Sequence, residues 1–315
     1  MSERPVLPAA DGQTRQGYSG RIASWERSGP GYNTEPPPTL NESLTTSGFR
    51  IEPGTAYGFF TDTTVCIGCK ACEAACKQWN QLPMDDLGFT GRSYDHTTQL
   101  SATTWRHVTF LEQIDRDDST RRWLFMSDVC KHCEEAGCLE SCPTGAIVRT
   151  EFGSVLIQQD ICNGCKYCVP SCPFGVITVA EGLDNTAHKC TLCYDRLKAG
   201  MEPACAKACP TDSILFGPVL ELRRVARQRV EELHHLGVRE AYLYGLPGGP
   251  GATGGIGSLN CFFLLTERPE AYNLPPAPEL PSRRGSQGFL TTAASALAYG
   301  AATLLAIRAA RSGRG

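Results

Sequence analysis

Sixteen of the seventeen cysteines fall into four groups of four, and this grouping constrains the protein more than any other feature of its 315 residues. The groups are Cys66, Cys69, Cys72 and Cys76; Cys130, Cys133, Cys138 and Cys142; Cys162, Cys165, Cys168 and Cys172; and Cys190, Cys193, Cys205 and Cys209. One [4Fe–4S] cluster takes four thiolate ligands. The sequence therefore predicts four [4Fe–4S] clusters and a role in electron transfer.

The spacing within the groups is that of bacterial ferredoxins. Groups one and three have the form C-x2-C-x2-C-x3-C, in which three cysteines hold one cluster and the fourth reaches to another. Gly68 and Gly164 lie inside these two loops. Glycine reaches positive φ and lets the backbone approach closely, so we expect backbone amides near the cluster sulfurs. Group two has one longer gap, and group four has a long loop between Cys193 and Cys205.

An internal repeat follows the cysteine groups. Proline comes directly after the last cysteine of groups two, three and four, at Pro143, Pro173 and Pro210. Apolar segments that favour strands follow at 146–148, 176–178 and 213–216. Because proline ends a helical turn, the pattern predicts a cluster loop followed by a short strand. Group one lacks this proline.

Other uses of the cysteines are less compatible with the spacing. Four-cysteine zinc sites are usually two separated C-x2-C pairs. A disulfide framework is typical of short secreted proteins. Cys261 stands alone in an apolar stretch and is predicted to be a buried structural cysteine.

Composition limits the other classes of function. The net charge of −3 gives no reason to expect a nucleic-acid partner. Residues 1–54 contain neither an apolar signal region nor a twin-arginine pair, so no signal peptide is expected. Since thiols must stay reduced during cluster loading, assembly is expected in the cytoplasm.

The remaining segments are predicted from local patterns. Residues 1–54 are rich in Pro, Gly, Ser and Thr and are expected to form a flexible tail or an arm that wraps a partner. A hairpin is predicted over 105–126 with its turn at 115–118, and an amphipathic helix over 219–236. The glycine-rich segment 245–258 contains a G-x-G-x-x-G pattern, but it lacks a strand-to-helix context and is interpreted as a loop.

The C-terminal segment has the length of a membrane span. Residues 290–307 contain no charged side chain, and arginines lie on both sides. We therefore predict a single transmembrane helix over 289–308 and a location at the cell membrane, with the side of the iron–sulfur domain undecided. A helix docked on the protein is the alternative, because alanine and threonine dominate the segment.

Three stretches match a known family: CIGCKACEAACKQWN (66–80), CNGCKYCVPSCPFGV (162–176) and KCTLCYDRLKAGMEPACAKACPTDSI (189–214). The sequence resembles the iron–sulfur (β) subunit of membrane-bound respiratory formate dehydrogenase over about residues 55–308. The resemblance implies an α+β fold with two bacterial-ferredoxin-like dicluster units, one inserted in the other. The outer unit would comprise 55–104 and 179–217, and the inserted unit 105–178. A helix, loop and strand (218–287) would pack on this core.

The resemblance also implies which cysteines share a cluster, which spacing alone leaves open. Set 1 would be Cys66, Cys69, Cys72 and Cys209; set 2, Cys76, Cys190, Cys193 and Cys205; set 3, Cys130, Cys133, Cys138 and Cys172; and set 4, Cys142, Cys162, Cys165 and Cys168. All sixteen positions are cysteine.

The functional hypothesis is a non-catalytic subunit with no catalytic residues of its own. The resemblance implies a catalytic partner with a molybdenum or tungsten pterin that oxidises formate, and a cytochrome b membrane partner. The alternatives are the same role for a polysulfide, thiosulfate or dimethyl sulfoxide reductase or for a hydrogenase, and, in a different class, a zinc-binding scaffold. Lysines beside the ligands are candidates for raising cluster potentials: Lys70, Lys77, Lys131, Lys166 and Lys207. His132 and His188 also flank ligands and are expected to be supporting rather than catalytic.

Overall fold

The structure is a computed structural model that describes residues 50–85, 97–114 and 121–312. Ten strands form within these residues: β1 Tyr57–Asp62, β2 Arg106–Ile114, β3 Arg121–Val129, β4 Ile147–Arg149, β5 Val155–Ile157, β6 Thr178–Val179, β7 Ala187–His188, β8 Ile214–Pro218, β9 Tyr242–Tyr244 and β10 Cys261–Leu265. The described α-helices are α1 Ala71–Trp79, α2 Gly137–Glu140, α3 Cys168–Ser171, α4 Tyr194–Lys198, α5 Ala204–Lys207, α6 Val219–His235 and α7 Pro281–Ser312, with a 3₁₀ helix at Pro269–Tyr272. Most of residues 1–54, predicted as a tail or arm, lie outside the described residues.

A four-stranded sheet in the order β8-β1-β10-β9 joins the two ends of the cysteine-rich region. β1 pairs with β8 in antiparallel and with β10 in parallel orientation. Every residue of β1 and β10 is buried, in keeping with their apolar and aromatic sequences. Because the end of β1 lies beside the start of β8, the loop that holds Cys66 comes close to the segment that holds Cys209.

Three two-stranded hairpins lie between successive cysteine groups: β2–β3, β4–β5 and β6–β7. The first confirms the predicted hairpin, whereas its predicted turn at 115–118 lies outside the described residues. β4 and β8 form where strands were predicted after the Cys-Pro steps. β6 begins only at the last residue of the predicted segment 176–178.

Helix α6 confirms the amphipathic prediction almost residue for residue. Its buried residues include Val219, Leu222, Val225 and Leu233, which recur at helical spacing. The helix packs against β1 and β8, so it covers the sheet in which these two strands pair.

Helix α7 contains the predicted span 289–308, but the membrane prediction is not confirmed. Among the described residues, none of the helices combines the length and apolar character that crossing a bilayer requires. Phe289, Leu297 and Tyr299 are each at least 75% exposed on its surface.

The glycine-rich segment lies between β9 and β10. It contains no helix, and a strand rather than a helix follows it. A dinucleotide-binding loop opens a helix, whose N-terminus receives the phosphates. The arrangement therefore agrees with the interpretation of this segment as a loop.

Candidate metal centres

The four Cys-x-x-Cys turns share one unusual backbone conformation. The residue before the second cysteine has a positive φ in each turn: 67° at Gly68, 44° at His132, 69° at Gly164 and 59° at Leu192. The positive φ expected at the two glycines is confirmed. His132 and Leu192 were missed, although their position in the repeat was the available signal. Turns that include a left-handed residue direct successive amides to one side, which suits a negatively charged group.

The glycines of groups one and three also lie where a side chain would collide. A Cβ at Gly164 would lie 2.1 Å from the carbonyl oxygen of Asn185. A Cβ at Gly68 would lie 2.8 Å from the ring of Phe125 and 2.9 Å from that of Phe110. Both positions therefore need glycine for space as well as for φ.

Helix packing brings the cysteine groups together in pairs. Helix α1, which carries Cys72 and Cys76, packs against α5, which carries Cys205. Helix α2, which carries Cys138, packs against α3, which carries Cys168. Group one is therefore beside group four, and group two beside group three.

The thiols of sets 1 and 2 are electrostatic neighbours within each set. Burial raises the pKa of Cys76 well above its usual value, and Cys190, Cys205 and Cys193 raise it further. Burial likewise raises the pKa of Cys66, with added contributions from Cys209 and Cys69. The neighbours of Cys76 and Cys66 are thus members of sets 2 and 1 respectively.

Sets 3 and 4 show the same relation. Burial raises the pKa of Cys133 well above its usual value, and Cys130, Cys172 and Cys138 add to the effect. Burial raises the pKa of Cys168 to about 11, with contributions from Cys162, Cys165 and Cys142. In both sets the interacting thiols come from two different sequence groups.

Interactions between sets give their order in space. Cys72 of set 1 interacts with Cys205 of set 2. Cys190 of set 2 interacts with Cys130 of set 3. Cys138 of set 3 interacts with Cys168 of set 4. These electrostatic interactions indicate the order 1, 2, 3 and 4 for the sets, and the step from set 2 to set 3 joins groups four and two.

Each of the four sets offers four thiols as ligands. Zinc–sulfur bonds of about 2.3 Å would require sulfurs within roughly 4 Å of one another. Within the described residues, no three His, Cys, Asp or Glu side chains are placed to hold one ion. Beside set 4, a small cavity is lined by Cys142, Cys162, Cys165 and Cys168. None of the seventeen cysteines is in a disulfide. Four free thiols per set are the ligands that one [4Fe–4S] cluster takes, so the residues present fit that group.

Burial differs between the middle and the ends of this series. All four cysteines of set 2 are buried. Sets 1 and 4 each contain one exposed cysteine, Cys69 and Cys165. The adjacent loops expose apolar side chains, with Ile67 at 59% and Tyr167 at 62% exposure. The two end sets therefore come to the surface while set 2 is enclosed.

Buried thiols need help to act as ligands, because a ligand must be the thiolate. Burial raises the pKa of Cys72 and of Cys190 to about 12 in each case, and Arg106 opposes both shifts. Bound iron and nearby cations would stabilise the thiolates that burial alone disfavours.

Two buried cations near the thiols were not found from the sequence. Arg106 at the start of β2 is 1% exposed, and Lys189, which precedes Cys190, is 3% exposed. Despite burial, which lowers it, thiolates raise the pKa of Lys189, chiefly those of Cys130, Cys138 and Cys190. Lys189 was detectable as the neighbour of a ligand, whereas Arg106 lies 30 positions from the nearest group-one cysteine in the sequence.

The lysines that were predicted from the sequence are mostly paired with carboxylates: Lys70 with Glu73, Lys77 with Asp85, Lys131 with Asp128 and Lys166 with Glu181. Lys131 is buried, whereas the Lys166 pair is exposed to solvent and Lys207 is exposed as well. A paired, solvated lysine has a weak effect on a distant charge, since the carboxylate and water both oppose its field.

The two histidines have different environments. The backbone N–H of Val155 donates to Nδ1 of His132 at 3.0 Å, so the proton of this neutral ring is on Nε2. Burial lowers the pKa of His132 well below its usual value, and Lys189 adds to the effect. Nε2 of His132 is buried and has no hydrogen-bond partner among the described side chains and backbone. His188 instead pairs with Asp184 at 2.9 Å.

The end of the glycine-rich segment and the residues that follow it support group two, a role that the sequence did not reveal. The Ser258 hydroxyl donates to the Glu134 carboxylate at 2.7 Å, and the Cys261 N–H donates to the Lys131 carbonyl at 3.0 Å. Leu259 and Cys133 form an isolated antiparallel bridge. Cys261 itself is buried at 1% exposure, as predicted.

Comparison with known proteins gives matches across this region. Two family models described as 4Fe-4S dicluster domains match residues 65–146 and 121–219. The formate dehydrogenase iron–sulfur subunit of Haemophilus influenzae is 40% identical over 223 residues, which cover 70% of this sequence and 68% of that protein. The nitrate-inducible formate dehydrogenase iron–sulfur subunit of Escherichia coli is 39% identical over 70% of this sequence and 72% of its own length. One subunit of the anaerobic dimethyl sulfoxide reductase of E. coli is 36% identical over 54% of this sequence and 77% of its own length.

Proposed function

Because this protein belongs to the family of formate dehydrogenase iron–sulfur subunits, we propose that it relays electrons between two partner subunits through four [4Fe–4S] clusters. The clusters, when bound, each accept and release one electron. Sets 1 to 4 would hold one cluster each. The observation that carries the proposal is the meeting of thiols from different sequence groups in the four sets.

The order of the sets supports a single route through the molecule. Successive sets are neighbours through Cys72 and Cys205, Cys190 and Cys130, and Cys138 and Cys168. The protein encloses the middle of this route, where water and oxygen would otherwise reach the thiolates. Its buried thiols, amide-rich turns and cations would set the potential of each step.

The exposed end sets are suited to exchange with partners. Cys69 and Ile67 at one end, and Cys165 and Tyr167 at the other, lie at the surface. Apolar side chains beside a redox site favour close docking, because water can be excluded there. We propose that a molybdenum- or tungsten-pterin catalytic subunit docks at one end and a cytochrome b membrane subunit at the other.

The terminal helix is a candidate contact for the membrane subunit. Phe289, Leu297, Leu304 and Leu305 are at least 65% exposed along α7. A partner that covers these side chains would remove apolar surface from water. Truncation after Gly288 should therefore separate this protein from the cytochrome b subunit while iron content stays unchanged. Retention of the membrane subunit by the truncated protein would contradict this contact.

The test of the proposed function is formate reduction of the clusters in the intact complex. The complex is purified without oxygen through a tag on this subunit, mixed with formate, frozen and examined by electron paramagnetic resonance. Signals of reduced cubane clusters should appear with formate and match those produced by dithionite. Signals that appear with dithionite but not with formate would contradict formate as the electron source.

A second candidate is the same relay for a different molybdopterin oxidoreductase. The observation that favours it is the 36% identity to the dimethyl sulfoxide reductase subunit. That match covers 54% of this sequence, whereas the formate dehydrogenase match covers 70%, so the formate assignment is preferred. Identification of the co-purified catalytic subunit and its metal distinguishes the two, and a nickel–iron subunit would indicate a hydrogenase instead.

A further inference from the structure

Arg106 is a buried cation that has no carboxylate partner among the residues the structure describes. Its side chain is 1% exposed and is among the largest fully buried side chains of the described residues. It takes part in none of the salt bridges found in the part of the protein that the structure describes. A buried guanidinium without compensating groups is strongly unfavourable, so something else must balance this charge.

Protein groups satisfy only part of the guanidinium. Nη1 donates to the Ser127 hydroxyl at 2.9 Å, and the guanidinium carbon lies 4.7 Å from the centre of the Phe59 ring. Nε and Nη2 are buried and have no hydrogen-bond partner within the described part of the protein. Buried donors in native proteins are almost always paired, so these two nitrogens indicate an acceptor that the described residues do not supply.

The surroundings identify the chemistry of that acceptor. The groups that interact most with Arg106 are four thiols, in the order Cys205, Cys72, Cys190 and Cys76. Three of them belong to set 2 and one, Cys72, to set 1. The Ser127 hydroxyl also lies 3.3 Å from the sulfur of Cys72, so it bridges Arg106 to a predicted ligand. Sulfur atoms of thiolate-bound clusters accept hydrogen bonds, and such bonds raise the cluster potential.

We propose that Arg106 is a positioning residue between sets 1 and 2. It would donate hydrogen bonds to cluster or thiolate sulfur there and raise the reduction potentials of both clusters. This inference rests on the proposed function, because it needs clusters in these two sets. Reduction adds one electron to a cluster and breaks no bond, and the electron comes from the neighbouring cluster in the series. A fixed positive charge stabilises the more negative, reduced form of a cluster, so it favours reduction of the clusters in sets 1 and 2.

The effect should be uneven between the two clusters. Set 2 provides three of the four interacting thiols, whereas set 1 interacts through Cys72 and through Ser127. The loss of Arg106 should therefore lower the potential of set 2 most and that of set 1 less. Sets 3 and 4 should hardly respond.

The test is a redox titration of the purified complex, monitored by electron paramagnetic resonance, after iron and sulfide have been measured in every sample. Arg106→Gln removes the charge, Arg106→Lys keeps it, and Arg224→Gln removes a charge from the exposed face of α6 as the matched control. In R106Q two of the four midpoint potentials should fall, and the other two should stay at wild-type values. R106K should restore most of the potential that set 2 loses in R106Q, and R224Q should change none of the four midpoint potentials.

Failures of the two proposals are distinguishable. Wild-type protein without clusters would overturn the proposed function, whereas loaded R106Q with four unchanged potentials would overturn only the role of Arg106. If R106Q does not assemble clusters, the same redox titration of Ser127→Ala tests the inference instead. That variant removes the bridge to Cys72 and should lower one potential, that of set 1. Four unchanged potentials in S127A would then overturn the inference.

Discussion

Set 2 and set 4 are built from the same ligand type and similar turns, but their environments are opposite. Set 2 is enclosed, and three of its thiols interact with the buried Arg106. Set 4 reaches the surface through Cys165, and its adjacent lysine, Lys166, forms an exposed ion pair with Glu181. A cation in the interior acts in a low dielectric, whereas a surface cation is screened by water, salt and its partner. Similar loops can therefore produce electronically different clusters.

The largest expected difference is in the response to loss of a ligand. Cys76→Ser places a hydroxyl in a closed site, where water cannot complete the coordination, and we expect loss of about four irons per molecule. Cys165→Ser changes an exposed corner of set 4 and should release about one iron. The unfolding temperature should fall clearly only in C76S, because an unsatisfied buried hydroxyl costs about 1–3 kcal/mol.

Iron analysis and thermal unfolding of the two variants test this difference. Cys261→Ala is the matched control, because Cys261 is buried like Cys76 but belongs to none of the four sets. C261A should keep all its iron and lose only stability. Equal iron losses in C76S and C165S would show that burial does not separate the two sets.

The next effect concerns the turn of set 4. Gly164→Ala would force a Cβ against the carbonyl of Asn185, at 2.1 Å, in addition to the cost of about 1–2 kcal/mol of a left-handed non-glycine residue. We expect a lower unfolding temperature and loss of the set 4 cluster, as measured by iron content and calorimetry.

Gly175→Ala provides the matched control for this substitution. Gly175 has a similar φ of 63°, but a Cβ there would meet nothing within 4 Å. The iron content of G175A should stay at the wild-type value, and its unfolding temperature should fall only by the effect of a left-handed alanine. If G164A and G175A behave alike, the close approach to Asn185 does not matter.

A smaller effect is expected from the lysines beside the clusters. Lys189→Gln removes a buried charge near Cys130, Cys138 and Cys190 and should lower the potentials of sets 2 and 3. Lys166→Gln removes an exposed, paired charge and should shift set 4 only slightly, and less still at high salt. Redox titrations at low and high salt measure both effects, and a larger shift in K166Q than in K189Q would contradict the contrast.

The smallest effect concerns a contact that joins the two helices around set 2. The Trp79 indole donates to Asp195 at 2.8 Å, and the Arg196 guanidinium lies 4.2 Å from the indole ring centre. Trp79→Leu should cost about 1 kcal/mol at this half-exposed site and should leave the iron content unchanged. Denaturant unfolding of the cluster-loaded protein measures the loss of stability. Loss of iron from W79L would show that the Trp79 contact is needed to retain the cluster of set 2.

The sequence predicted those features whose cause is local. Thiol spacing and the two loop glycines predicted the turns, because each residue type has few alternative uses at those positions. Apolar periodicity predicted α6, because one face of that helix packs on the sheet. His132 and Leu192 were missed because ordinary residues take a left-handed conformation only where the surrounding structure imposes it.

Features that depend on distant contacts were not predicted. Arg106 shares a strand face with the buried Val108, but an arginine in a strand gives no sign that it is enclosed. The support that Ser258 gives to Glu134 joins segments 124 positions apart. The membrane prediction is not confirmed, because none of the described helices is long and apolar enough to cross a bilayer.

The iron and sulfide content of the anaerobically purified, full-length protein in its complex tests the central claim most directly. Four cubane clusters predict about sixteen irons and about sixteen sulfides per molecule. About four zinc ions and no acid-labile sulfide would contradict the account and would indicate a zinc-binding scaffold.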